Sequence, residues 1–334
     1  MGRTLTLRTE SLRFREPFAI SGYVFEAMPA LVATIGDGEH LGRGEACGVY
    51  YLGDDADHML AAAESVRAPI EAGIGRAELQ GLLPPGGARN ALDCALWELE
   101  AAQAGCLVWQ LAGLGAPKPR VSTMTAGADT PEAMARAAGG FAGARAIKLK
   151  LTGEPDLDCA RVAAVRRALP GVWLGVDANQ GYGRASLEAV LPTFVELGVK
   201  LVEQPLPRGE EAGLDGLDSP IPIAADESVL SSGDMQAMLG RCSVINVKLD
   251  KCGGLTEALR MVDLARQLGF DLMVGNMGGS SWAMAAGFIV AQACDIVDLD
   301  GPLWLARDRK PSVSYPDGAI WSDETVWGGG VRSP

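Results

Sequence analysis

From residue 120 to residue 300 the chain is organised around eight short apolar runs, each beginning 21 to 28 residues after the one before. They are RVSTMTA (120–126), AIKLKL (146–151), VWLGVD (172–177), KLVEQ (200–204), IPIAAD (221–226), VINVK (244–248), DLMVG (271–275) and IVDLD (296–300). Helix-like stretches lie between several of them, among them residues 131–143, 157–169, 186–198 and 255–269, often ending in a Gly suited to a C-cap. Connections of this length carry a helical crossover, so successive strands run parallel, and eight such units can close into a barrel. An open doubly wound sheet is the alternative, yet no strand leads into the GxGxxG turn that would hold a dinucleotide.

Residues 1–118 read differently. Strand-like TLTLRT, PALVATIG and LGRGEA precede two helical stretches, residues 58–73 and 86–105, which together suggest an α+β module. The expected organisation is a cap over 1–118, a barrel over 119–305, and a tail, 306–334, that packs back on the cap.

Composition narrows the function. With 48% apolar and 21% charged residues the chain is ordinary globular protein. The net charge of −13 and the lack of a Lys/Arg cluster disfavour nucleic acid and anionic membranes. No apolar run reaches membrane-spanning length, and the N-terminus lacks a signal-peptide core. Seven scattered cysteines, none spaced CxxC, fit a reducing cytoplasm better than a disulfide framework or a zinc site. A small-molecule ligand is expected. Oligomeric state is left open, a homo-oligomer included.

Barrels of this kind carry their chemistry at the C-terminal ends of the strands. Asp177, Glu203 and Asp226 end three successive runs, so three carboxylates share one rim. A loop acid after a strand is commonly a helix N-cap. Three in succession instead suggest a divalent cation, and all-oxygen ligands suggest Mg²⁺ or Mn²⁺. Lys150 precedes these acids and Lys248 follows them, flanking the metal. Lys148 shares a strand face with Lys150. Cationic neighbours disfavour an ammonium, so a lysine can fall from roughly 10.4 toward neutrality and act as a base, with Lys148 assisting by repulsion.

KLK (148–150), VDAN (176–179), VEQP (202–205), ADES (225–228) and NVKLDKCGG (246–254), in this order and spacing, resemble the enolase superfamily and its muconate-lactonizing subgroup. The resemblance spans nearly the whole chain. It implies an α+β capping domain over a modified (β/α)7β TIM barrel, Mg²⁺ on Asp177, Glu203 and Asp226, and Lys150 and Lys248 as acid/base catalysts. Asn179, and Asp250 with Lys251, are candidates to support them from behind. The two histidines, His40 and His58, lie outside the barrel, which excludes a barrel histidine base.

Asp298 and Asp300 fall two apart in the last run. Alone they suit a second cation or a solvated strand end. DxD at this position resembles the dipeptide epimerases, where it receives the substrate's α-ammonium; DLDGPLWLA and LPPGGARNALDCALWELEA (83–101) resemble the L-Ala-D/L-Glu epimerases in particular. An acid pair of this kind rejects substrates without an amine. The implied activity is an isomerase reaction, epimerisation at the second residue of an L,L-dipeptide, in murein peptide metabolism by resemblance. The alternatives are an N-succinyl amino acid racemase or cycloisomerase of the same subgroup, and a metal-dependent binding protein without turnover. One departure stands out. The expected cap loop 16–30 holds no Arg or Lys, where glutamate-specific relatives usually place an Arg; Tyr23 and Phe25 stand there instead. Arg13, Arg15 and Arg43 are the candidate replacements, and a hydrophobic second residue is the other outcome.

Overall fold

The computed structural model describes residues 2–332. β1 (Thr4–Ile20), β2 (Tyr23–Gly36) and β3 (His40–Cys47) form an antiparallel sheet. The stretch 16–30, expected as a loop, is a hairpin: Ser21 and Gly22 make the turn, Phe18 pairs with Phe25 and Ile20 with Tyr23. Gly22 has φ 76°, the left-handed conformation that a two-residue turn asks of glycine. Pro17 falls where the register shifts between Arg13 and Phe18, a bulge that tolerates a missing N–H.

The helix Gly87–Gln103 lies across this sheet and is buried along most of its length. Its approach explains the GRG of β3. A Cβ at Gly44 would stand 1.9 Å from the Ala91 carbonyl oxygen, and one at Gly42 equally close to that of Ala95.

The run 120–126 divides at Ser122 into β4 (Arg120–Val121) and β5 (Thr123–Ala126). From β5 the barrel continues through β6 (Ala146–Lys150), β7 (Trp173–Asp177), β8 (Leu201–Glu203), β9 (Ile223–Ala225), β10 (Val244–Val247), β11 (Asp271–Val274) and β12 (Ile296–Val297). These eight strands are parallel and neighbours in chain order. Helices Pro131–Gly140, Pro155–Ala168, Arg184–Glu196 and Leu255–Leu268 occupy the expected stretches. Ser281–Ala291 adds another, started by Ser280, whose side chain accepts from the Trp282 amide. Short 3₁₀ turns at Glu211–Leu214 and Ser232–Met238 connect β8 to β9 and β9 to β10.

Side chains, rather than a strand ladder, join β12 to β5. Thr123 Oγ1 donates to Asp298, the Thr125 amide to Asp300 Oδ2 at 2.7 Å, and the Leu299 amide to Ser122 Oγ at 3.0 Å. The last expected run is therefore a strand only over Ile296–Val297, and both of its aspartates lie beyond the ladder.

The chain after the barrel makes β13 (Ala319–Ile320), paired with β4, and β14 (Val331–Arg332), paired with β3. The helix Gly87–Gln103 ties cap to barrel through named contacts. Arg89 donates to the Cys252 and Gly253 carbonyls, and Asp93 accepts from the Thr256 amide at 2.9 Å, filling an orphan donor at the start of Leu255–Leu268. Glu45 of β3 accepts from Ser280 and Arg309.

Candidate active site

Strand register builds the rim. Lys150 of β6 is the partner of Asp177 of β7, and Asp177 of Glu203 of β8, so the three stand level on adjacent strands roughly 4.8 Å apart. Asp226 and Lys248 follow one residue after β9 and β10. Lys148, Lys150, Asp177, Glu203, Asp226 and Lys248 are all buried, the most accessible at 7%.

In the ring of eight, β6 and β10 are four strands apart and so face each other. Lys150 and Lys248 therefore confront one another across the barrel mouth, with the acids on the three strands between. β8 and β12 are also four apart, which sets Glu203 opposite Asp298. Gly275, after β11, makes room for the Lys248 chain: a Cβ there would lie 2.9 Å from Lys248 Cε and 2.8 Å from Asn246 Oδ1.

The lysines are held by the carboxylates. Lys150 Nζ donates to Asp177 Oδ2 and Lys248 Nζ to Asp226 Oδ2, both at 2.6 Å. Lys148 Nζ lies 3.2 Å from Glu203 Oε2, 3.6 Å from Asp177 Oδ2, and bonds Asp298. This corrects the expected role of Lys148. Burial disfavours its charge, but three carboxylates outweigh burial and hold its pKa above the ordinary lysine value. Lys248 is raised in the same way: burial acts against its ammonium, and Asp226 and Glu203 prevail. The neighbouring Lys148 charge also acts against the Lys248 ammonium, but less strongly than Asp226 and Glu203 favour it.

Lys251 was expected behind Lys248 and instead grips Asp226, donating to Oδ1 and to the main-chain oxygen at 2.5 Å each. Asp250 also departs from expectation. It turns to the cap, accepting from the Cys47 amide at 2.9 Å and Asn90 Nδ2 at 3.1 Å. Asn179, at φ 42°, lines the cavity and donates to Glu227 Oε1 at 3.3 Å.

As they stand, no three His, Cys, Asp or Glu side chains among the described residues close around a metal position; lysines hold the carboxylate oxygens. The donor chemistry nonetheless fits a hard divalent cation. Burial and the Asp177 charge push Glu203 up to about 7, an excess of negative charge that a cation relieves. Asn179 Oδ1 and Glu227 Oε2 are buried oxygens without a partner.

Asp298 lines the cavity, whereas Asp300 stands behind it, with Oδ1 buried and unpartnered and its carboxyl raised to about 7 by burial and by Asp298. On the cap side Phe25 lines the cavity. Tyr23, 47% exposed, stacks on its outer face at 5.9 Å. Tyr50 and Tyr51, on a 3₁₀ turn after β3, also line it and were not singled out from sequence. Neither were Asn246, which donates to Glu203 Oε1 at 2.6 Å, nor Glu227. The ADES motif contained Glu227 as its third letter, a signal that was available.

A capped parallel barrel carrying acids and lysines at its strand ends has the layout of a barrel enzyme. Residues 131–323 match the family model described as enolase C-terminal domain-like. The chain is 38% identical over 321 residues to the L-Ala-D/L-Glu epimerase of Escherichia coli (strain K12), covering 95% of this chain and 99% of that one. Among solved structures it is similar to an enolase family member from Agrobacterium tumefaciens with homology to dipeptide epimerases, bound to sodium and L-Ala-L-Glu. There the identity is 39%, the coverage 98% and 100%, and the TM-score 0.93. It is also similar, at 25% identity, full coverage of both chains and a TM-score of 0.91, to the dipeptide epimerase of Enterococcus faecalis V583 complexed with Mg and L-Leu-L-Tyr. The chain belongs to the enolase superfamily, among its dipeptide epimerases. No described helix is long and apolar enough to cross a membrane.

Proposed function

We propose that the protein is a Mg²⁺-dependent dipeptide epimerase that inverts the second residue of an L,L-dipeptide by two-base 1,1-proton transfer. The observation that carries this reading is the placement of Lys150 and Lys248 four strands apart in an eight-stranded ring, with Asp177, Glu203 and Asp226 between them. Inversion requires proton removal on one face of a carbon and delivery on the other, and two facing amines supply both.

Asp177, Glu203 and Asp226 would hold the metal, Mg²⁺ or in its place Mn²⁺, which supplies Lewis acidity toward the substrate carboxylate and so eases loss of the neighbouring proton. With Asp177 and Asp226 committed to a cation, Lys150 and Lys248 would each be free of the carboxylate contact they make here. One lysine, neutral, accepts the α-proton at Nζ while the other, an ammonium, donates from the opposite face. Asp298 receives the dipeptide's α-ammonium in a charge-assisted bond, with Asp300 holding the backbone behind it. Lys148, bonded to Asp298, keeps that carboxylate aimed across the mouth.

Proton NMR in D₂O tests this, with the protein, Mg²⁺ and a panel of L,L-dipeptides. Loss of the α-proton signal at the second residue, with growth of the L,D epimer, is expected and should stop on adding EDTA. Exchange confined to N-succinyl-Phe would replace the reading with an N-acyl amino acid racemase. No exchange on any compound would leave a binding protein.

A further inference from the structure

The barrel fixes three of the four directions around the reacting carbon, and the cap decides what fills the fourth. Resting on the epimerase reading, the carboxylate of the second residue lies toward the acids around β8. Its amide leads toward Asp298 after β12, and the proton lies on the perpendicular line between Lys150 and Lys248. The side chain is left pointing out of the barrel into the cap.

That side of the cavity is formed by Phe18, Ile20, Phe25, Met28, Tyr50 and Tyr51. Phe25 and Tyr50 meet edge to face at 5.1 Å, and Tyr50 and Tyr51 at 5.2 Å. The cations in the lining are Lys148, Lys150 and Lys248, all on the barrel floor and each paired with an acid. None of the replacement arginines lines this cavity. Arg43 is bound to Glu98 by two contacts of 2.6 and 2.9 Å, Arg15 donates to the Leu305 carbonyl, and Arg13 is exposed and outside the lining. Glu227 adds a further carboxyl group. A glutamate side chain would lose its hydration here with no cation to receive it, while an apolar side chain gains from the same burial.

We infer that this enzyme epimerises dipeptides whose second residue is hydrophobic or aromatic, and that Phe25, with Tyr50 and Tyr51, sets that preference. Tyr51, whose hydroxyl is buried without a partner, leaves one hydrogen bond for a neutral polar tip such as a tyrosine phenol.

The test is kcat/KM of the full-length protein with Mg²⁺ on L-Ala-L-Phe, L-Ala-L-Leu, L-Ala-L-Tyr and L-Ala-L-Glu. The apolar and aromatic dipeptides are expected to exceed L-Ala-L-Glu at least tenfold. Phe25→Arg should move the Phe-to-Glu ratio tenfold or more toward Glu, chiefly through KM, and Phe25→Leu should keep the wild-type preference. L-Ala-L-Glu turned over as well as or better than the others by the wild type overturns the inference, as does an unchanged ratio in Phe25→Arg. If only N-succinyl amino acids exchange, the dipeptide reading has failed. The ratio of N-succinyl-Phe to N-succinyl-Glu then supports the cap preference if it favours Phe and overturns it if it does not.

Discussion

Replacing Asp250 by Asn should stabilise the protein above neutral pH while leaving it nearly unchanged in acid. Asp250 follows Lys248 by two residues and is 4% exposed, holding the Cys47 amide and Asn90 of the cap. Burial, reinforced by the charges of Asp54 and Glu45, lifts its carboxyl from 3.8 to about 7 in spite of those two hydrogen bonds. The folded value lies above the unfolded one. The group's contribution to stability is therefore complete below pH 3.8 and is lost as pH rises through 7. At about 1.36 kcal/mol per tenfold change in proton affinity, the loss amounts to about 4 kcal/mol. Asn retains an acceptor for both donors and cannot ionise. At roughly 1.4 °C per kcal/mol for a chain of this size, the variant's Tm should exceed the wild type's by up to about 6 °C at pH 8 and by little at pH 4. Differential scanning calorimetry across that range reads the difference directly. A gap that does not widen with pH, or a variant less stable at pH 8, would refute the reasoning.

The remaining expectations concern the site itself. Lys150→Met and Lys248→Met should each lose epimerisation by at least about a hundredfold, the scale of a missing general base. Each should still exchange the α-proton of one epimer with D₂O, and opposite epimers in the two variants; exchange of the same epimer by both would count against facing bases. Gly275→Ala should lower kcat by tenfold or more, since its Cβ meets Lys248 Cε at 2.9 Å, and should cost roughly 1–3 kcal/mol of stability by overpacking. Wild-type kcat in that variant would show that Lys248 does not need the space.

The barrel was legible because its strands are short, apolar and evenly spaced, and because strand ends in such a barrel share one rim. Residue order alone then brought Asp177, Glu203, Asp226 and the two lysines together. Contacts that depend on closure were not legible. Lys148 and Asp298 are 150 positions apart, and their bond exists because β12 folds back beside β5. The 16–30 hairpin read as a loop because Pro17 and Gly22 are turn-forming types; the pairing that holds the stretch extended is visible only between β1 and β2. Tyr50 and Tyr51 carry no motif. They matter because the helix Gly87–Gln103 sets the cap over the mouth, through contacts such as Arg89 to Gly253 that link positions 164 apart.

The join between β12 and β5 makes the barrel a latch rather than a hoop. Seven of its eight seams are backbone ladders, and the eighth hangs on side chains of Ser122, Thr123, Asp298 and Asp300 and two amides. With no backbone ladder across that seam, heat should part the clasp before the longer ladders such as β6 to β7 yield. Asp298 sits in the clasp and also lines the cavity, so that wall of the cavity should loosen while most of the protein is still folded.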